Sequence, residues 1–422
     1  MHIPSYYAAS ANSLVEYPAL VGEISTDVCV VGGGIAGCST ALHLAERGYR
    51  VALVEAEQVA WGASGRSGGQ ALTGFASGQH KLVQQLGAEA ARRMWDISVE
   101  ALSVLEHLVR RHHIDCDLKP GTWHVALKPR QRSELKQELE ETEQLYGYDK
   151  LKFLERADIE AVLATKRYCA GVEDQGTWHL HPLNYTLGLA AAAARAGVSI
   201  FERSRVTALK SGSTCSVETS RGRINAKFVV LCCNAYVGAL AAPLRSRIMP
   251  VGTYIIATER LGEERGQKLM RRNVAVSDTN FVLDYFRRSA DHRLLFGGRV
   301  SYSGLNSFRI ASATRHRMLA VFPQLADAKI DYAWGGYVDI TMSRAPDFGR
   351  LENSIYYLQG FSGHGIALAT IAGKLVAEAI AGDTERFDLF SRLKHRDFPG
   401  GPLLRTPALM LAMLWYRIRD LM

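Results

Sequence analysis

The sequence predicts an α/β protein in which a dinucleotide-binding unit is interleaved with an α+β domain built on an antiparallel sheet. Three observations predict it. In "VCVVGGGIAGCSTALHLAERGYRVALVEA" (28–56) an apolar strand runs into a glycine knot and then a helix. A second strand, "IYYLQ" (355–359), meets Gly360, Gly363 and Gly365 before another long apolar helix. Between them, 245–335 holds β-rich runs: "RIMPVGTYIIATERL", "NFVLDYFRR" and "RLLFGGRVSY". These fit an antiparallel sheet.

The first unit reads in order. Asp27–Val31 is a strand, and Gly32-x-Gly34-x-x-Gly37 follows at once, with Ile35 and Ala36 between the glycines. Ser39–Arg47 is expected as a helix stopped by Gly48, and Arg50–Val54 as a second strand ending on Glu55. This is the Rossmann-type βαβ fingerprint, with its acid about 20 residues past the glycines. Gly32 permits the tight turn, and Gly34 lets a pyrophosphate approach the backbone at the helix start. Gly37 lets helix and strand pack closely, and Glu55 accepts from the ribose hydroxyls. An ordinary glycine-rich βα turn would leave Glu55 a coincidence. A glutamate there argues against a 2′-phosphate and so against NADP.

The loop after Glu55, "AEQVAWGASGRSGGQALTGF" (56–75), is too rich in small residues for a third Rossmann strand. Ala56, Ala63, Ser64, Arg66, Ser67, Gly68 and Gly69 fit backbone wrapped around a second portion of a long cofactor. The alternative is a surface linker, but Trp61 and Phe75 at its edges favour a packed loop. FAD is thereby preferred to NAD.

Further along, 81–112 and 129–145 are helix-periodic and "GTWHVAL" (121–127) alternates like a strand. Leu183–Ala196 reads as an alanine-rich helix closed by Gly197, and 198–236 as a chain of short strands. No internal repeat or low-complexity linker separates domains. The expected division is therefore discontinuous: 1–84, 148–240 and 336–422 for the cofactor, 85–147 and 241–335 for the substrate. The helix after Gly363 and Gly365, opening on Ile366, directs its positive end at a cofactor on which negative charge develops. His364 stands in that turn, either as a structural hydrogen-bonder or as a catalyst.

Composition excludes some classes. Across 422 residues, 47% are hydrophobic and 22% charged, enough for a large core in two domains. A net charge of +8 comes without basic blocks or aromatic-basic interleaving, so nucleic acid is not an expected partner. Seven scattered cysteines include no CxxC pair, so neither a metal site nor a disulfide framework is expected. The start, "MHIPSYYAAS", carries no secretory pattern, and a cytoplasmic location is expected. The tail "PALMLAMLWYRIRDLM" (407–422) reads as a helix packed on its own domain, with peripheral membrane contact as the alternative.

Taken with "WGASGRSGGQ" (61–70) and "SGHGI" (362–366), the glycine-rich opening resembles the FAD-dependent D-amino-acid oxidase superfamily. Within it the chain is similar to glycine, sarcosine and especially gamma-glutamylputrescine oxidases. The likeness runs nearly end to end, through "SYYAASAN" (5–12), "IDCDLKPG" (114–121), "HLHPLNYTLG" (179–188), "LLFGGRV" (294–300), "SRAPDFGRL" (343–351) and "GDTERFD" (382–388). The resemblance implies oxidation of a C–N bond by hydride transfer to flavin, hydrolysis of the imine, and re-oxidation by oxygen or another acceptor. It implies that Val206 meets the adenine through its backbone. Two departures matter. Ser67 stands where relatives commonly have asparagine. "GGYVDITMSRAPDFGR" (335–350) lacks the cysteine through which sarcosine oxidases attach flavin, which implies non-covalent FAD. The run "DHRLLFGG" (291–298) also lacks the lysine that helps oxygen accept electrons in those relatives, leaving oxidase and dehydrogenase both open.

Arg299 and Arg344 are the candidates for a carboxylate-binding guanidinium. Tyr254, Tyr285, Trp334 and Tyr337 are the aromatic pocket candidates, though tyrosines in such strands are more often core. His364, Tyr254, Arg299 and Trp334 form the expected catalytic set, with no metal. The substrate expectation is a gamma-glutamylputrescine-like amine, or alternatively a cyclic or secondary amino acid such as L-pipecolate or sarcosine. A flavin-binding module without catalysis is the third reading.

Overall fold

The computed structural model describes residues 1–280, 283–301 and 307–400, with the backbone only for 299–301 and 307–310. The apolar run at 28–31 is the buried end of strand Gly22–Val31, which lies between Val51–Val54 and Gly222–Leu231, parallel to both. Strands covered on both faces read as unbroken apolar runs, which is why "VCVV" and "VALV" show no alternation. Ser199–Phe201 extends this first sheet past Val51–Val54, and Ile355–Gln359 extends it past Gly222–Leu231, both in parallel. Asp347–Glu352 closes one edge antiparallel. The antiparallel strands Val206–Lys210 and Cys215–Thr219 branch from Gly222–Leu231. Helix Ile35–Ala45 packs between Pro182–Arg195 and Gly365–Ile380.

Helix Ile35–Ala45 begins four residues earlier than the sequence reading placed it. Gly34 is its N-cap, with extended backbone, so Gly37 lies inside the helix. Glycine weakens a helix interior, which pushed the expected start past it. Here a closer approach to the strand overrides propensity, as the site shows.

The second sheet runs in the order Ile330–Thr341, Ile248–Thr258, Leu294–Ser301, Tyr285–Arg288, Ala275–Asp278, Lys119–Ala126, Ala170–His179 and Gln70–Ala71. Leu151–Glu155 pairs with Ala170–His179. Its pairings are antiparallel except that of Ala275–Asp278 with Lys119–Ala126. Strands Leu151–Glu155 and Ala170–His179, and all of Ile330–Thr341, therefore stand in the second sheet, whereas the sequence division placed 148–240 and 336–422 with the first. The reason is burial. Trp123, Leu154, Ile256, Val276, Phe286 and Phe296 share one apolar core beneath this sheet, and no short segment shows which core it will join.

Helices Gln79–Leu86, Ala88–Arg111 and Pro129–Tyr146 occupy the periodic stretches. The seven cysteines are free, five of them buried. Among the described residues, no single helix is long and apolar enough to cross a membrane. The tail at 407–422, and with it the expected membrane contact, lies outside the described residues.

Candidate functional site

The site begins where the first sheet's parallel strands end. Gly32 donates its N–H to Val54 O at 2.8 Å and holds φ at +112°, a conformation that disfavours any residue with a Cβ. A Cβ on Gly37 would lie 1.8 Å from the Gly32 carbonyl oxygen, so the helix can approach the turn this closely only with glycine there. Gly34 provides no side-chain cap, and the Ile35 N–H donates instead to Ser64 Oγ at 3.0 Å. Glu55 Oε2 accepts from the Gly33 N–H at 2.6 Å and Oε1 from the Glu57 N–H at 2.9 Å. Burial raises the Glu55 carboxyl above the ordinary range.

From this point a cavity of about 1200 Å³ runs on across the face of the second sheet opposite its apolar core. Gly32, Gly34, Ile35, Ala36, Glu55 and Ala56 line its first end, together with Val206. Ala63, Ser64, Ser67, Gly68 and Gly69 line the middle. Gly363, His364, Gly365 and Ile366 line the wall at the start of helix Gly365–Ile380, where His364 is the N-cap and adds no side-chain bond. Two helix starts thus face one cavity, each with first-turn N–H groups that have no intrahelical acceptor.

Other expected residues stand elsewhere. Gly37 packs behind the wall. The Arg66 guanidinium lies 4.1 Å over the Trp61 ring, and its Nη1 donates to Gly335 O at 3.4 Å. Trp334 is 4% exposed and donates Nε1–H to Arg66 O at 3.0 Å, so it braces the loop rather than meeting a substrate. Val251 and Thr253 line the cavity. Strand alternation turns Tyr254 away from it, with its ring against Gly335. The Arg299 backbone pairs with Tyr254, and its side chain lies outside the described residues. Tyr285 lines the cavity, packed over Gly68 and Gly297. Arg344 lines it too, from a turn with φ of +62°, whereas Tyr337 is exposed beside Tyr236.

Sequence reasoning missed several residues of the second sheet. His124 and Ser277, cross-strand neighbours, both face the cavity. The alternation of "GTWHVAL" could have found His124, because Trp123 and Val125 are core and His124 lies between them. Asp339, 1% exposed, also lines the cavity and accepts the Gly360 N–H beneath the 360–365 turn. Burial pushes its carboxyl up to about 7. His364 is pushed down to about 4, chiefly by burial, so its ring is neutral near neutral pH. The Arg344 guanidinium adds to the shift on His364.

The chemistry of the walls fits FAD. Bare backbone and an acid meet one end, and a second helix start meets the other. Ser67 Oγ and Arg66 Nη2 are buried with no hydrogen-bond partner among the described residues, and Ser67 lines the cavity, so an oxygen-rich ligand satisfies a group that is otherwise orphaned.

The comparisons agree. The family description "FAD dependent oxidoreductase" matches residues 27–379. The chain is 41% identical over 420 residues to gamma-glutamylputrescine oxidoreductase of Escherichia coli K12, covering 99% of this chain and 98% of that one. It is 38% identical to the probable oxidoreductase OrdL of Haemophilus influenzae, covering 99% and 97%. Among solved structures, glycine oxidase from Geobacillus kaustophilus superposes with a TM-score of 0.74 at 22% identity, over 88% of this chain and 99% of that one. With a cavity that fits the cofactor, and a family match across most of its length, the chain belongs to the FAD-dependent oxidoreductases of the DAO family.

Proposed function

We propose that the chain oxidises the C–N bond of a primary amine to an imine, and that its substrate is of the gamma-glutamylputrescine type. The observation that carries this is the continuity of one cavity. Its cofactor-binding walls continue without a break into a chamber against the second sheet, on the face away from its core, where His124, Ser277, Tyr285 and Arg344 stand. The full-length likeness to gamma-glutamylputrescine oxidoreductase supports the same substrate class. Nothing comparable favours a cyclic or secondary amino acid.

FAD supplies the hydride acceptor when bound. Glu55 holds its adenosine ribose, and Gly34 and Ser64 border its phosphates. The 363–365 turn offers the positive helix end where negative charge develops. Arg344 is the one cation of the expected pair whose side chain is described in the cavity wall, and it takes the substrate's distal carboxylate. His364 stays neutral, so the amine reacts after losing its proton to solvent rather than to this ring. FAD is held non-covalently: of the lining cysteines, Cys232 and Cys233 sit beside the first sheet, and burial pushes the Cys233 thiol up to about 12. Oxygen takes the electrons, and hydrogen peroxide is the product.

A panel of amines tests the substrate class. The kcat/KM for gamma-glutamylputrescine should exceed those for putrescine, glycine, sarcosine and L-pipecolate, with peroxide formed in step with the amine consumed. A preference for a cyclic or secondary amino acid would overturn it.

A further inference from the structure

Strand Lys119–Ala126 buries Trp123 and Val125 in the second core, which turns Thr122 and His124 to the cavity. His124 stands in register with Ser277 of the parallel strand Ala275–Asp278. Ser277 Oγ lies 3.1 Å from His124 Nδ1 and 3.5 Å from the Trp123 carbonyl oxygen. With the hydroxyl proton given to that carbonyl, Nδ1 donates its own proton to Oγ and Nε2 keeps a bare lone pair. A hydrogen bond at one ring nitrogen sets the tautomer at the other, and here it leaves an acceptor on a ring that lines the cavity. The ring lines the same cavity as His364 and is near enough that a proton on one would act on the other. His124 therefore faces the part of the chamber next to the 363–365 turn. Nothing in the cofactor cradle uses it.

We infer that His124 is a substrate-binding residue whose Nε2 accepts a hydrogen bond from the amine N–H, with Ser277 as the positioning residue that holds the tautomer. The inference rests on the proposed amine oxidation and deepens it. An acceptor facing the reacting nitrogen selects for neutral amines that carry an N–H. Primary amines should therefore bind in preference to their N,N-dimethyl counterparts, which when neutral have no proton to offer. A site that hydrogen-bonds the reacting group discriminates more strongly than an apolar pocket does.

Three holoenzyme variants separate this role from a structural one. His124→Gln places an amide oxygen near the position of Nε2. His124→Asn reaches Ser277 but leaves nothing at Nε2. Ser277→Ala removes the tautomer lock. FAD content shows that each variant folds. Binding is read from the change an unreactive amine makes in the flavin spectrum, and reduction from the anaerobic rate against amine concentration. His124→Asn should raise the apparent Kd for the unreactive amine and for the primary-amine substrate about tenfold or more, with a smaller change in the limiting rate. His124→Gln should recover most of the affinity, and Ser277→Ala should fall between. Full affinity in His124→Asn together with weak binding in His124→Gln would overturn the inference, since the ring would then serve only Ser277. So would three variants that all behave as the wild type while the wild-type flavin is reduced normally. A wild-type flavin that no amine reduces would instead overturn the proposed function, and this inference with it.

Discussion

Replacing Glu55 tests the cofactor cradle at its most defined point. Its carboxylate already accepts from the Gly33 and Glu57 N–H groups at 2.6 and 2.9 Å, and each oxygen has a further lone pair for the ribose. Glu55→Ala removes the charged acceptor from the ribose hydroxyls, and a hydrogen bond to a charged group is worth about 1.5–3 kcal/mol. FAD affinity should therefore fall roughly 10- to 150-fold. The apoprotein should change less. The Gly33 N–H loses its partner, but the desolvation that raises the Glu55 carboxyl is relieved at the same time. Glu55→Gln should weaken FAD as well, because one amide face then presents a donor to a backbone donor. The assay is reconstitution of apoprotein with FAD, followed by fluorescence, with apoprotein melting as the control. Wild-type affinity in both variants would refute the assignment of Glu55 to the ribose. A collapse of apoprotein stability in both would show that its two backbone bonds, not the ribose, are its main role.

Three further outcomes are expected. In His364→Asn the rate of flavin reduction should fall modestly while the rise of activity with pH persists, because an imidazole held near 4 has no proton to lose in that range; loss of the alkaline limb would make His364 the base. Asp339 binds a proton more tightly folded than unfolded, its carboxyl lying near 7 against about 4 in the open chain, so it lowers stability as pH rises between those values. Asp339→Asn lacks that loss, and its Tm relative to the wild type should rise between about pH 5 and pH 8; a pH-independent difference would refute the shift. Acid precipitation should leave all the flavin in the supernatant, and flavin remaining with the chain would contradict non-covalent binding.

How much was legible in the sequence depended on the range of the cause. Gly32, Gly34, Gly37 and Glu55 were readable because the turn, the helix start and the strand end lie within 30 residues, and each glycine answers a local backbone demand. The turn at 360–365 was readable for the same reason. The boundary at Ile35 was not, because the close packing at Gly37 that overrides its helix penalty is a tertiary fact. Tyr254 and Trp334 were misplaced because an aromatic in a strand near the site has two faces to choose between. Only the pairing of Ile248–Thr258 with Ile330–Thr341 and Leu294–Ser301 fixes which face meets the cavity. His124 and Ser277 lie 153 residues apart, and their pairing is a property of the sheet alone.

Anaerobic mixing of the purified holoenzyme with gamma-glutamylputrescine tests the central claim most directly. The account predicts that the flavin is bleached with one amine consumed per flavin, and that the colour returns when oxygen is admitted. A flavin that stays oxidised with this and every other amine, yet is reduced by dithionite, would contradict it.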